Sequence, residues 1–415
     1  MSPTSLDAER TRWSVSATSE DRRIMDHNQP HAASEETRML RDLVAKFVER
    51  DLMPLEPAVL RREATGGGFK LSEEEETTLL ARCQELGLWG LDVPEEFGGA
   101  NLPLLSLAAA EEELARACVP FTIPPDSPNL HMMLAVASPM QRAKYLTPYA
   151  KGEQRSAMAI SEPGAGGDPA GMTTRAVKDG DHWVINGRKI WVSNVPRADF
   201  IILMARTGEG KRQEGITAFI VEKGTPGFVI EREIPMLGGR KTYELVFEDC
   251  RVPAENVLGE LGRGYAPMQL RLNVRRMQMG ARCIGMARRA LEMMTEQAQN
   301  RVTWGVRLAD RQAIQWFAAD AVMEMHACRL MVQDLAAKLD AGADVRMEAS
   351  ILKVRATEMA QTVLDNAMQT WGAMGVTKEL PLQLMHQQVR LMRVYEGPSE
   401  VHRSAIGRRT LGGKV

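Results

Sequence analysis

The chain has 415 residues, 44% hydrophobic and 26% charged, with a formal net charge of −2. That length holds two or three domains or one multi-layered unit, and the near-neutral balance argues against a general nucleic-acid binder. No run of eighteen apolar residues is present to span a membrane as a helix. The five cysteines (Cys83, Cys118, Cys250, Cys283, Cys328) are scattered without a C-x-x-C pair, as reduced thiols of a cytosol-like compartment are.

Residues 1–35 read as a polar, mixed-charge leader without an apolar targeting segment. Its His27 and His31 have H-x-x-x-H spacing, but Pro30 between them opposes a helix that presents both to one metal. No H-E-x-x-H occurs, and no metal site is expected. Residues 36–155 read as helical. "TRMLRDLVAKFVERDLMP" sets Leu40, Leu43, Val44, Phe47 and Val48 on one stripe, with Pro54 just beyond its end. "SEEEETTLLARCQELGLWG" opens with Ser72 and Glu75 spaced as a capping box, "SLAAAEEELARACV" is a further short helix, and the three prolines of "TIPPDSPNL" break the pattern.

From residue 156 to 262 the period changes. "WVINGRKIWVSN" carries a hairpin signal at Asn186–Gly187, and "DFIILMART", "GITAFIVEK", "GFVIEREI" and "YELVFEDCRVP" follow as short strands. An antiparallel barrel or sandwich is expected. Residues 263–415 return to helix. One long segment keeps Ile314, Ala318, Val322, Met325, Cys328, Val332 and Leu335 at helical spacing up to Gly342, and "EASILKVRATEMAQTVLDNAMQTWGAMG" is comparably long. Consecutive long helices with short connections predict an antiparallel bundle. The fold class is therefore α+β: helices, a β domain, then a helical bundle.

Two stretches carry possible chemistry. "AMAISEPGAGGDPAGM" is glycine-rich but not a dinucleotide fingerprint, because Pro169 holds the third glycine position and a strand, not a helix, follows. It reads equally as a plain turn or as a loop that brings free N–H groups close to a planar or anionic ligand. "RVYEGPSEVHR" places Glu396 beside a Gly-Pro turn, with Arg390, Arg393 and Arg403 near in sequence; alone, this reads as an ion-paired surface acid.

Taken together, the stretches are less ambiguous. "SEPGAGGD", "INGRKIWVSN", "FEDCRVPAENVLG", "NRVTWGVRLADRQAIQ", "QTWGAMGV" and "RVYEGPSEVHR" occur in a fixed order that resembles the acyl-CoA dehydrogenase family, and the resemblance runs from about Thr37 to Gly412. It implies a helical N-terminal domain, a β middle domain, a C-terminal four-helix bundle, FAD, a homo-oligomer (tetramer or dimer) and α,β-dehydrogenation of an acyl-CoA thioester. It further implies an electron-transferring flavoprotein as acceptor and a cytoplasmic location, or the mitochondrial matrix in a eukaryote. Flavin-dependent oxidase or monooxygenase relatives, and a DNA-binding family-like scaffold, are the alternatives.

The resemblance also assigns residues. Glu396 is the α-proton base, on a turn whose rigidity fixes the carboxylate direction. The alternative base position used by some members holds Arg275, a cation. Such a base works when desolvation raises its pKa and when donors polarise the thioester carbonyl. Ile160, Ser161, Gly166, Gly167, Trp191 and Ser193 border the flavin, with the Ser193 hydroxyl toward N5 and the indole of Trp191 along the ring. Arg301, Thr303, Trp304, Leu308 and Arg311 reach a neighbouring subunit's cofactor, Trp304 replacing another aromatic, and Gln369 and Gly372 match an adenosine-side loop. Pro398 and Glu400 complete the cofactor set, and Gly167, Arg276, Tyr395 and Gly397 the substrate set. Three positions depart from the common pattern: Gly167 where many members have serine, Pro398 where many have threonine, and Glu400 where an amide is common. "GPSEVHR" resembles a branch that acts on long or unusual acyl chains.

Overall fold

The computed structural model describes residues 34–125, 128–208 and 212–413, so His27 and His31 lie outside the described residues. Helix α1 (Glu35–Phe47) starts at Ser34, whose hydroxyl accepts from the Thr37 N–H. Its stripe buries Val44 and Phe47, with Val48 just beyond, and half-buries Leu40 and Leu43. After α2 (Glu56–Ala64), helix α3 (Glu73–Glu85) begins at the capping box: Glu75 N–H donates to Ser72 Oγ at 3.1 Å, and Ser72 N–H to Glu75 Oε2 at 2.6 Å. Helices α4 (Leu104–Leu114) and α5 (Pro128–Val136) complete this layer.

The β domain is one eight-stranded sheet among the described residues, with strand order β6-β7-β3-β2-β4-β5-β8 and β1 beside β4. The strands are β1 (Ser156–Ala159), β2 (Arg175–Asp179), β3 (His182–Val192), β4 (Phe200–Arg206), β5 (Ile216–Glu222), β6 (Phe228–Pro235), β7 (Lys241–Pro253) and β8 (Val257–Leu258). Pairing is mostly antiparallel, but β1 runs parallel to β4. Trp183 of β3 and Phe219 of β5 are separated by two strands in the sheet, yet their ring centroids lie 5.7 Å apart. Adjacent strands stand about 4.8 Å apart, so a flat sheet would hold these rings far beyond contact; the sheet curls around an inner core. Strand β4 is buried on both faces. Phe200, Ile202 and Met204 pack outward against Leu130 and Tyr145, while Ile201, Leu203 and Ala205 fill the interior.

Asn186–Gly187 does not make the expected hairpin. The β2–β3 turn falls at Gly180–Asp181, and β3 runs straight through Asn186, with a register shift against β7 between Ile185 and Gly187. A Cβ at residue 187 would lie 2.4 Å from Thr174 Oγ1. The Asn186 side chain bridges to Asp249, accepting its N–H at 2.9 Å and donating to Oδ1 at 3.1 Å. Asparagine and glycine here build a bulge that admits a close neighbour.

The C-terminal domain consists of α6 (Tyr265–Asn300), α7 (Gln312–Asp340), α8 (Arg346–Trp371), α9 (Leu382–Met392) and α10 (Ser399–Leu411). On α7, Met325, Cys328, Val332 and Leu335 are buried as expected, but Val322 is exposed and Ile314 and Ala318 only half-buried. Helix α4 covers only the far end of α7, where Glu112 pairs with Arg329 and Asp340 accepts from the Leu104 N–H. The five cysteines are buried and unpaired. Among the described residues, no helix is long and apolar enough to cross a membrane, and no three His, Cys, Asp or Glu side chains are grouped to hold a metal.

Candidate active site

Glu396 sits between α9 and α10 with φ 55°, a left-handed conformation, followed by Gly397 at φ 94°. Its side chain is only 15% exposed, and Arg271 Nη1 donates to Oε1 at 2.7 Å. It therefore faces α6, not solvent. Of the arginines near it in sequence, Arg393 and Arg403 both reach Glu358, the latter through two bonds of 2.7 and 2.6 Å.

The corner is fastened from below by Lys353 and His402, which the sequence did not single out, and by Arg276, which was expected on the substrate side. Lys353 of α8, fully buried, donates to the carbonyls of Arg393 (3.1 Å) and Gly397 (2.5 Å). Arg276 Nε donates to the Glu396 carbonyl at 3.2 Å, and His402 Nε2 lies 3.2 Å from the same oxygen. His402 Nδ1 lies 3.1 Å from Ser350 Oγ. Lys353 stands on the apolar stripe of α8, among Ala349, Leu352, Ala356 and Ala360; a lysine in such a stripe is the signal that could have found it.

The electrostatics differ from the expectation of a raised carboxyl. Burial pushes the Glu396 carboxyl up, but the charge and hydrogen bond of Arg271, with Arg275 and Arg276 behind it, outweigh burial and hold it below the usual carboxylate range. Arg275, at the alternative base position, donates to Gln278 Oε1 at 3.2 Å. His402 is drawn down to about 4 by burial and by the charges of Arg276 and Lys353.

The glycine loop abuts this corner. A Cβ at Gly167 would stand 3.2 Å from Val401 and 3.7 Å from Pro398. The same residue that lacks a serine hydroxyl thus leaves room for the turn that carries Glu396. The loop is anchored by Glu162, buried, which accepts from the N–H groups of Thr173 (2.6 Å) and Thr174 (2.9 Å) and from Lys189 Nζ (2.8 Å). Lys189 also donates to the Ile160 carbonyl at 2.9 Å, and the Ser161 carbonyl accepts from the Ile190 N–H at 2.9 Å. These bonds tie Ile160 and Ser161, just past β1, to the end of β3 that carries Trp191 and Ser193, an edge of strand ends, and Glu162 anchors the loop that holds Gly166 and Gly167. Burial draws Lys189 down to about 8 against the pull of Glu162, while Glu162 lies at about 2 because Lys189 and the threonine donors outweigh its own burial.

The edge fits a flavin. Trp191 is 50% exposed at φ 62°, Ser193 is exposed two residues on, and a Cβ at Gly164 or Gly166 would meet nothing within 4 Å. An indole face, a hydroxyl and an open glycine backbone are what a planar ring with polar edges needs.

The other expected cofactor residues lie elsewhere on the chain. Arg301, Thr303, Trp304, Leu308 and Arg311 form a small hairpin of β9 (Val302–Thr303) and β10 (Val306–Arg307) beyond α6. Arg311 Nη2 donates to the Thr303 carbonyl at 2.6 Å, its guanidinium carbon lies 5.6 Å from the Trp304 ring centroid, and Leu308 N–H donates to Arg301. Trp304 is 93% exposed. Gln369 and Gly372 are exposed at the end of α8, where the neighbouring Trp371 indole donates to the Met293 carbonyl of α6 at 3.0 Å. Glu400 is exposed on α10, and Tyr395 packs half-buried against the bundle core.

A β domain between two helical domains, with a glycine loop packed against the corner that carries a buried carboxylate, fits a flavoprotein oxidoreductase. Residues 34–153, 157–250 and 262–411 match three family models, described as the N-terminal, middle and C-terminal domains of acyl-CoA dehydrogenase. The chain is 41% identical over 389 residues to (R)-benzylsuccinyl-CoA dehydrogenase of Thauera aromatica, covering 91% of this chain and 96% of that protein. It is 32% identical to the caffeyl-CoA reductase-Etf complex subunit CarC of Acetobacterium woodii, covering 90% and 97%. The solved butyryl-CoA dehydrogenase of Megasphaera elsdenii superposes with a TM-score of 0.82 at 30% identity, covering 92% and 100%. The chain belongs to the acyl-CoA dehydrogenase family, oxidoreductases acting on CH–CH bonds whose members are FAD-dependent flavoproteins.

Proposed function

We propose that this chain oxidises an acyl-CoA thioester to the 2-enoyl-CoA with Glu396 as the base that takes the α-proton. The supporting observation is the placement of a buried carboxylate on a fastened corner that touches the glycine loop through Gly167, Pro398 and Val401. Bound FAD supplies a hydride acceptor for the β-carbon. Ile160, Ser161, Gly166, Gly167, Trp191 and Ser193 hold the ring edge in this reading, and Gly397 and Tyr395 wall the acyl side.

The proton step places demands on Glu396. Arg271 bonds only one of its oxygens, so the other accepts the proton, and weakening that pair makes the carboxylate a stronger base. A thioester closed over the corner excludes water and adds to the burial that pushes the carboxyl up, which moves the base toward working range against the pull of Arg271. Lys353, Arg276 and His402 keep the corner in place meanwhile.

The hairpin of Arg301, Thr303, Trp304, Leu308 and Arg311, with Gln369 and Gly372, serves a second copy of the chain, so the active form is a homo-oligomer. The printed name of the Acetobacterium relative includes an Etf complex, and an electron-transferring flavoprotein is the proposed acceptor here.

Anaerobic mixing of the FAD-loaded protein with a panel of acyl-CoAs tests the reading: at least one thioester bleaches the flavin. Glu396→Gln keeps yellow, folded protein and slows bleaching about 10²–10⁴-fold. Undiminished bleaching in that variant removes Glu396 from the mechanism.

A further inference from the structure

Arg271 holds the Glu396 carboxylate through Nη1 at 2.7 Å, and a second bond aims its guanidinium from the N-terminal helices. Arg271 Nε donates to Asn129 Oδ1 of α5 at 3.2 Å, and Asn129 Nδ2 donates to Ser156 Oγ of β1 at 2.9 Å. Ser156, Asn129, Arg271 and Glu396 thus form one hydrogen-bonded line, running from the sheet through α5 into the bundle. It is sheltered from water: Asn129 is buried and the Arg271 side chain is 13% exposed.

The residue types suit tuning more than packing. A guanidinium only donates, so the Asn129 amide turns its oxygen to Arg271 and its NH2 to the serine. It fixes the arginine without neutralising it, and the positive charge remains for Glu396. An aspartate of the same shape would share that charge. A long side chain held at one atom keeps much of its rotamer freedom, so the second bond gives Arg271 a single direction.

Other charged groups stand around the corner. Arg276 of α6 and Lys353 of α8 bond its backbone carbonyls, and His402 of α10 lies beside one of them. Arg275 of α6 bonds Gln278, and His131, on α5 with Asn129, pairs with Asp92 at 2.8 Å. Of these groups, Arg271 is the one bonded to the carboxylate, and its charge does most to offset burial there.

We propose that Asn129 is a positioning residue for the proton step: it aims Arg271 at Glu396 and so sets how basic the carboxylate is, with the seat of α5 on β1 fixing that aim. This rests on the reading of Glu396 as the base. The carboxylate must be ionised to take a proton, so kcat/KM falls as pH drops through its pKa. Loss of the guanidinium's charge raises that pKa and moves the fall to higher pH.

The experiment follows kcat/KM across pH for the FAD-loaded protein, with the thioester of the panel that bleaches wild type fastest. Arg271→Gln moves the acid limb to higher pH by at least about 1 unit, and Asn129→Ala by at least about 0.5. Asn129→Asp moves it further than Asn129→Ala, because the new carboxylate draws on the same guanidinium. In the Arg271→Gln background, Asn129→Ala adds no further displacement. In crystals of Asn129→Ala, Arg271 Nη1 no longer lies within hydrogen-bond reach of Glu396 Oε1; a retained bond overturns the proposal. An acid limb that stays in place in both Asn129 variants, with Glu396→Gln inactive, overturns the positioning role and leaves the base reading standing. A displacement that persists in full without the arginine also overturns it, since Asn129 then acts by another route. The Asn129 variants are decisive even if Arg271→Gln does not fold. Undiminished bleaching in Glu396→Gln overturns both readings.

Discussion

Glu396 occupies a left-handed backbone conformation, which costs a residue with a Cβ about 1–2 kcal/mol. That strain persists because the carbonyls around it are held by Lys353, Arg276 and His402, all from the bundle. His402 is the titratable member of this set. Its folded pKa of about 4 stands against an ordinary 6.5, so between those values the unfolded chain binds a proton that the folded chain excludes. Stability from this group is fully present above about pH 6.5 and is lost as pH falls toward 4, on the order of 3 kcal/mol in all. In urea unfolding between pH 7.5 and 4.5, His402→Gln is expected to lose about 2–3 kcal/mol less than wild type over that range. Equal acid sensitivity of the two proteins would show that the imidazole is not held neutral by its surroundings. Lys353→Met tests the corner itself: kcat is expected to fall at least about 10-fold with FAD still bound, since a small displacement of a base is costly. Unchanged kcat would assign Lys353 to stability alone.

At the scale of elements, the glycine loop depends on one buried pair that crosses from the end of β1 to β3. Glu162 and Lys189 are 2.8 Å apart, both nearly inaccessible, and Glu162 also carries two backbone donors of residues 173 and 174. Glu162→Ala leaves Lys189 buried without its counter-ion, and is expected to lower unfolding free energy by about 3–5 kcal/mol. Lys189→Met added to that variant restores part of the loss, since the threonine N–H groups stay unmatched. A double-mutant cycle by chemical denaturation measures the coupling; additivity within about 0.5 kcal/mol would mean the pair is not a unit. Local elements of this kind differ in how plainly sequence announces them. The Ser72 capping box was legible because both bonds join residues three apart. Asn186–Gly187 was misleading because its role is set by Thr174 and Asp249, which lie near it only after β3 pairs with its neighbours. The acids at Glu111, Glu112 and Glu113 read simply as helix residues, yet they meet Arg282, Arg288 and Arg329 from two other helices.

At the scale of the whole molecule, the order of helical, β and helical zones followed from periodicity, because each zone's burial repeats along its own sequence. The site followed less completely. Glu396 and the glycine loop could be found by motif, but Arg271 lies 125 residues before Glu396 and Lys353 44 before Gly397, and only folding brings them to the corner. The remaining expected cofactor residues expose a feature of the chain by itself: in the hairpin from Arg301 to Arg311, Arg311 meets Thr303 and the Trp304 ring, yet Trp304 stays uncovered, with Val302, Val306, Trp316 and Met323 exposed near it in sequence. Exposed large apolar side chains gathered in one stretch of sequence are what a subunit interface covers. A second copy that covers it would also bring Arg301 and Thr303 to a neighbour's flavin. Light scattering after size exclusion is therefore expected to give a dimer or tetramer, and a Trp304→Asp, Met323→Asp variant a smaller species. If the hairpin only glues subunits together, FAD affinity is the same once subunits are reassembled at high concentration. If it holds the cofactor, Arg301→Gln in the intact oligomer weakens FAD retention about 10-fold or more, by the loss of a charge-assisted bond. A monomeric wild-type protein that binds FAD tightly and turns over would refute the shared site and leave the Glu396 corner untouched.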